Sequence, residues 1–235
     1  KRKFLLKLDN FKKQKKFYIE HKNKHKITYF DDKFLQKNFR DNLFLEGHFE
    51  SEKYFKSYEK EIINQFKFKF ESFYSKNKFF EMLTKSNSVS ICIRQNRFSE
   101  KLRKINSNDI KKSKDYSLEQ INYIRKSIKF IKSNVSNPKF FIWSNNFDDL
   151  EKYFPEKEFT HIKNNKTLGE GRRPLLDLFL MSQAKHFIVI PSSFNWWGAY
   201  LSQNPHKIII RPDENNFSVY KINNLDFWPM KWIKI

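Results

Sequence analysis

Three polar groups in this chain follow or border apolar runs, and each suits the binding of an anion or a polar base. Arg94 follows Val89-Ser90-Ile91-Cys92-Ile93. A guanidinium leaving a buried strand offers two parallel N–H donors to a phosphate, whereas the same residue in an open loop is merely solvated. Ser192 and Ser193 follow Phe187-Ile188-Val189-Ile190 and precede Phe194-Asn195-Trp196-Trp197-Gly198. Hydroxyls and unsatisfied backbone N–H groups at a helix start form an anion site, and one serine can be an N-cap at the same time. Asp177 is an acceptor, either for Arg173 one helical turn earlier or for the N–H edge of a base such as guanine. Trp196 and Trp197 suit packing that seats a helix, with ligand contact as the alternative. Gly198, one of 4 glycines, leaves room for another backbone to come close.

These residues need a scaffold, and the pattern after residue 87 supplies one. Short apolar runs at 88–93, 140–143, 159–162, 187–190 and 207–210 read as strands. Between them lie helical patterns. Ser117-Leu118-Glu119-Gln120 has the form of a capping box and opens a helix with Ile121, Ile124, Ile128 and Ile131 on one face. A short helix is expected through Leu150–Tyr153, another from Pro174 through Met181, and a third over Trp196–Leu201. Alternating strands and helices predict an α/β fold, a parallel sheet with helices on both faces. Ligands bind such sheets outside the carboxyl ends of the strands. At those ends stand Arg94-Gln95-Asn96-Arg97, Ser144-Asn145-Asn146, Pro191-Ser192-Ser193 and Arg211-Pro212. Gly169-Glu170-Gly171-Arg172 reads as a loop, a lid in the functional reading. Residues 1–80 form a separate, Lys- and Phe-rich part, with an amphipathic helix expected over 51–69.

Composition narrows the function classes. The chain has 235 residues, 39% of them hydrophobic and 27 of them Phe, enough for a real core. The net charge of +21 invites a nucleic-acid reading, but the excess is spread along the chain and no zinc-finger, helix-turn-helix or RNA-binding signature accompanies it, so no nucleic-acid partner is expected. A diffuse Lys excess suits solvated faces or an anionic membrane surface. Cys92 is the single cysteine, which excludes an internal disulfide and suits a reducing compartment. No apolar run reaches the ~18 residues of a membrane span, and no signal peptide is read. His161, His186 and His206 share no ligand spacing, so no metal is expected.

Several segments together resemble glycosyltransferase family 11, the α-1,2-fucosyltransferases, and most of all its bacterial members. Leu45–Phe55 (LEGHFESEKYF) is similar to the family's LEGYFQSEKYF, Ser90–Phe98 falls at its HxRRGDY motif, and Phe141–Asn146 resembles FxFSDD. Leu176–Ser182 resembles DLxLMS, Ser192–Ala199 resembles NSTFSWWGAWL, and the closing Phe227–Ile235 is like P-x-x-W-x-x-I. In the arginine motif Cys92 replaces His, Gln95 the second Arg, and Arg97 the Asp. The family's GGLGNQMFQ stretch is not seen, and the chain opens at Lys1.

The resemblance implies a GT-B-like enzyme with an incomplete helical acceptor-side domain, residues 1–80, and a Rossmann-like donor domain, residues 81–235. It would move fucose from GDP-fucose to the 2-hydroxyl of a terminal galactose, inverting and without metal or cofactor. Donor binding would fall to Arg94, Gln95, Arg97, Ser144, Asn145, Asp177, Ser192 and Ser193, and Glu46 is a candidate base. The acceptor would be a cell-envelope glycan, built at the cytoplasmic face of a membrane whose anionic lipid suits a basic protein. A transferase for another nucleotide sugar, or a catalytically inert nucleotide- or carbohydrate-binding relative, is the alternative.

Overall fold

The computed structural model describes residues 16–23, 27–36, 43–66, 68, 71–99, 106–163, 173–217 and 223–235. Its contacts divide the chain into two units, Lys1–Glu59 with Ile222–Pro229, and Lys60–Lys221 with Met230–Ile235. The loop Gly169–Arg172, read as a lid, lies outside the described residues, as does the side chain of Arg173.

In the first unit, β1 (Lys16–Ile19) pairs in parallel with β2 (Leu43–Glu46), with the short helix α1 (Asp32–Leu35) between them in sequence. One buried carboxylate organises the chain after β2. Glu20 Oε2 accepts the backbone N–H groups of His48 (2.7 Å) and Phe49 (3.1 Å). Gly47 is required there, because a Cβ would fall 2.7 Å from that same oxygen and 2.9 Å from the Phe49 ring. The returning segment 222–229 is tied in by polar contacts. Asn223 Nδ2 donates to the Thr28 carbonyl (2.9 Å), while Asp226 accepts from the Phe30 N–H (3.1 Å) and pairs with Lys53.

The helix expected over 51–69 is not continuous. Two 3₁₀ turns, Glu52–Tyr54 and Lys56–Tyr58, precede α2 (Glu59–Gln65). Ser51 caps the first turn by accepting from Lys53 N, and Phe55, at φ −137° and ψ 9°, breaks the helical path between the two. Tyr54 and Phe55 therefore follow an apolar spacing without sharing a helix.

In the second unit, α3 (Glu71–Tyr74) and α4 (Lys78–Lys85) lead into β3 (Asn87–Ile93). The order continues through α5 (Ser107–Asn134), β4 (Pro138–Ser144), β5 (Phe159–His161), α6 (Arg173–Ser182), β6 (His186–Ile188), α7 (Ser193–Leu201), β7 (Ile209–Arg211) and β8 (Ile233–Lys234). The sheet order is β5-β4-β3-β6-β7-β8, and every pairing is parallel. This is the order of a doubly wound sheet, in which the chain builds outward from β3 in one direction and then from β6 in the other. The crevice of such a sheet opens between those two strands.

Residues 60–80 belong with this sheet, so the division by contacts falls at Glu59 rather than at residue 80. The reason is aromatic packing on α6: Phe80 stacks on Phe179 with centroids 5.8 Å apart, and Tyr74 and Phe68 approach the same ring at 5.7 and 5.2 Å.

Helix α5 begins ten residues before the expected capping box. Asn106 caps it, accepting from Asp109 N at 2.8 Å, and Ser117 inside it donates back to the Ser113 carbonyl. A Ser-x-x-Gln pattern within an established helix has no free terminal donors to satisfy. The short helix expected at 150–153 is a series of turns. No described helix is long and apolar enough to cross a membrane.

Candidate functional site

At the carboxyl edge of the sheet, between β3 and β6, lies a cavity of about 520 Å³. Arg94, Ser144, Asn145, Asp177 and Ser192 line it together, so the ends of β3 and β4, helix α6 and the start of α7 converge on one space. Gln95 and Arg97, in the loop after β3, and Ser193, the first residue of α7, are not in the lining. Glu46 ends β2 in the first unit, whereas the lining residues all belong to the second.

The residues after β3 are held by two reciprocal amide pairs. Gln120 of α5 accepts the Arg94 N–H (2.8 Å) and donates its Nε2 to the Arg94 carbonyl (2.9 Å). One residue on, Asn145 accepts the Gln95 N–H (2.8 Å) and donates to the Gln95 carbonyl (2.9 Å). One side-chain amide thus meets both main-chain groups of each residue: the Gln120 amide is buried, where an unmet group would cost ~1–3 kcal/mol, and the Asn145 amide is exposed. The outcome is a fixed exit for the Arg94 guanidinium. Gln95 spends its own amide on the carbonyls of Asn146 (3.1 Å) and Asp148 (3.0 Å), and the Ser144 hydroxyl bonds within the same turn to Asn146.

On the other side of the cavity, Ser192 is the N-cap residue of α7, with extended backbone (φ −160°, ψ 128°). Its carbonyl accepts the Trp196 N–H at 3.0 Å, yet its side chain makes no capping hydrogen bond. The first N–H groups of a nine-residue helix and a serine hydroxyl therefore border the cavity, where they favour negative charge. Trp196 is buried, stacked on Tyr200 (4.5 Å) and packed on Trp232 (5.5 Å). Trp197 stacks on Phe66 (4.7 Å). Neither tryptophan is in the lining, and both seat the helix. Gly198 makes room for a side chain rather than a backbone: a Cβ there would lie 2.8 Å from Cγ of Met181 and closer still to its sulfur.

Met181 and Cys92 form part of the wall, their sulfurs 3.8 Å apart. Burial pushes the Cys92 thiol far up, so it is a small neutral wall group and no nucleophile. Asp177 is the one carboxylate among the described lining residues, a thin donor set for a divalent ion.

Sequence reasoning missed Gln120, Trp143 and Asn195. Trp143 and Asn195 line the cavity, and the buried Nε1 of the first and Oδ1 of the second have no hydrogen-bond partner within the described protein. Such atoms are rare in a native interior and here leave a donor and an acceptor for a guest. For Gln120 the sequence shows only a polar residue directly before the isoleucine stripe, and it is the structure that buries it fully.

The family model described as glycosyl transferase family 11 matches residues 6–235. The chain belongs to this family. Among relatives of family 11 type, an Escherichia coli protein named alpha-1,2-colitosyltransferase is 31% identical over 150 residues, 64% of this chain and 48% of its own length. A second, the Escherichia coli O-antigen biosynthesis glycosyltransferase WbnK, is 28% identical over 100 residues, 43% of this chain and 32% of its own length. The matched stretch spans about half of the first relative and a third of the second. This family 11 chain thus carries a parallel sheet whose switch point is lined by an arginine, a helix start and a carboxylate.

Proposed function

We propose that this family 11 chain binds a nucleoside diphosphate sugar, GDP-fucose in the first reading, and transfers the sugar to a hydroxyl of an envelope glycan. The observation that carries the reading is the convergence of Arg94, Ser192 at the start of α7, and Asp177 on one cavity at the sheet's switch point. Arg94 and the α7 N–H groups would neutralise the diphosphate, and Asp177 would accept from the N–H edge of guanine. Attack of the acceptor oxygen on the anomeric carbon breaks the bond to the diphosphate, the acceptor hydroxyl gives its proton to a general base, and negative charge builds on the departing GDP. Fixed donors aimed at that charge are the main catalytic device open to a site without a metal at the phosphates. The net charge of +21 favours work beside an anionic bilayer.

A second donor deserves the same assay. One relative is named for colitosyl transfer, and Gln95 and Arg97 depart from the fucosyltransferase pattern, so a GDP-linked colitosyl group is the alternative.

The test is calorimetric titration of the chain with GDP and with UDP, beside Arg94→Ala. The expected result is GDP binding, UDP at least about ten-fold weaker, and a loss of ten-fold or more in the variant, ~1.4 kcal/mol. Equal affinity for both nucleotides would remove the role of Asp177 in base choice. Undiminished binding by Arg94→Ala would remove the phosphate role of Arg94. Transfer assays with the two GDP-sugars then decide between the donors.

A further inference from the structure

Away from the cavity, His161 ends the edge strand β5 with its side chain only 2% exposed. Its Nε2 lies 2.8 Å from the Phe154 carbonyl, which can only accept, so Nε2 carries a proton. In the neutral ring Nδ1 is then a bare lone pair. That atom has no hydrogen-bond partner among the described residues, yet it faces Glu156 Oε1 at 3.3 Å. Glu151 completes a cluster in which one ligand atom from each of the three residues lies within 4.8 Å of the others. A lone pair set against a carboxylate needs something electropositive between the two.

We infer that Glu151, Glu156 and His161 form a structural site for a divalent cation of the zinc type, with water completing the coordination. A proton on Nδ1 is the competing explanation, and the geometry suits it less. Charge-assisted N–H···O bonds run to ~2.7–2.9 Å, shorter than the 3.3 Å seen, and Glu151, whose two oxygens accept the Glu156 N–H at 3.1 Å, keeps lone pairs to offer an ion. Two ligands each ~2.1 Å from one ion and 3.3 Å apart subtend about 105°, near the tetrahedral angle. The surroundings are those of a metal-bound imidazole, whose other ring N–H is usually donated to a carbonyl or carboxylate. The Phe147 ring, stacked on His161 at 5.3 Å, fixes the plane of the imidazole.

Lys163 shares Glu156 Oε1 and holds that carboxyl below the usual carboxylate range, so the ligand is ionised. The same exposed ammonium competes with an ion for the oxygen. One imidazole nitrogen and two carboxylates suit a borderline cation. None of the three ligands lines the nucleotide cavity, but Ile162, the next residue, does. The ion would staple the turn carrying Glu151 and Glu156 to the strand end that supports this wall. The inference does not rest on the proposed donor, and a GDP titration of the same samples keeps the two apart.

The experiment strips the full chain with a chelator and titrates it with zinc chloride against a chromophoric competitor, beside Glu151→Gln, Glu156→Gln and Lys163→Ala. Both glutamates are exposed, so their variants should fold, and circular dichroism checks that they do. The expected result is one zinc ion per chain and a zinc-dependent rise in Tm. Binding should weaken by at least about ten-fold in each glutamine variant, since loss of even a supporting hydrogen bond costs that much, and should tighten in Lys163→Ala. Zinc that fails to bind, or binds the glutamine variants equally well, overturns the proposal. So does a ¹H–¹⁵N spectrum with both His161 nitrogens protonated and unmoved by zinc.

Discussion

A glutamine in the middle of α5 does what its apolar neighbours cannot: it holds Arg94 by both main-chain groups. Gln120→Leu, nearly isosteric, should leave the sheet folded while freeing the Arg94 backbone. GDP affinity should fall by about ten-fold, and the loss should be much less than additive with Arg94→Ala, because one variant acts through the other. Additive losses in that cycle would make Gln120 a packing residue only. His186 makes a different prediction. Burial first, and then the neighbouring Lys185, holds its imidazole below the ordinary histidine range, and Nδ1 accepts the Ile208 N–H at 3.1 Å between β6 and β7. The folded state therefore favours the neutral ring. This stability is full above the unfolded value near ~6.5 and is lost as pH falls through the lower folded value. Urea midpoints measured from pH 7.5 down to pH 5 should decline, and His186→Asn should flatten that part of the decline.

Helices α6 and α7 meet at Gly198 and Met181, and that contact ties the element carrying Ser192 to the one carrying Asp177. Gly198→Ala should destabilise the second unit by ~1–3 kcal/mol through overpacking and push Met181 toward the cavity. Adding Met181→Ala should restore GDP binding; without such rescue, the contact has no bearing on the site. Much of this level was legible in the sequence. Strands buried on both faces read as apolar runs, which is why β3, β4 and β6 were visible and why the polar residues after them gathered on one edge. The first turns of α5 were hidden because Ser107–Lys114 is largely exposed and has no apolar stripe. The tie between Gln120 and Arg94 joins residues 26 apart, and no local pattern encodes it. The cluster at His161 escaped a search for histidine spacing because its other members are carboxylates, five and ten residues earlier.

At the scale of the whole chain, residues 222–235 serve two masters. Asn223 and Asp226 close the first unit on Thr28, Phe30 and Lys53, while Trp232 and β8 cover Trp196 and the sheet edge at β7 in the second. Burial raises the Asp226 carboxyl, but hydrogen bonds from Asn223, Lys53 and the Phe30 N–H outweigh it and hold the group below the usual range. Deleting 222–235 should therefore lower the stability of both units, seen as two weakened transitions in hydrogen exchange. Loss confined to one unit would mean that the segment belongs to that unit alone. The arrangement also bears on biosynthesis. Neither unit has all its parts until residues 222–235 have left the ribosome, so a nascent chain, with β3 to β7 already made, waits with the β7 edge open, and slow translation or early chain release would expose it to aggregation and to chaperones.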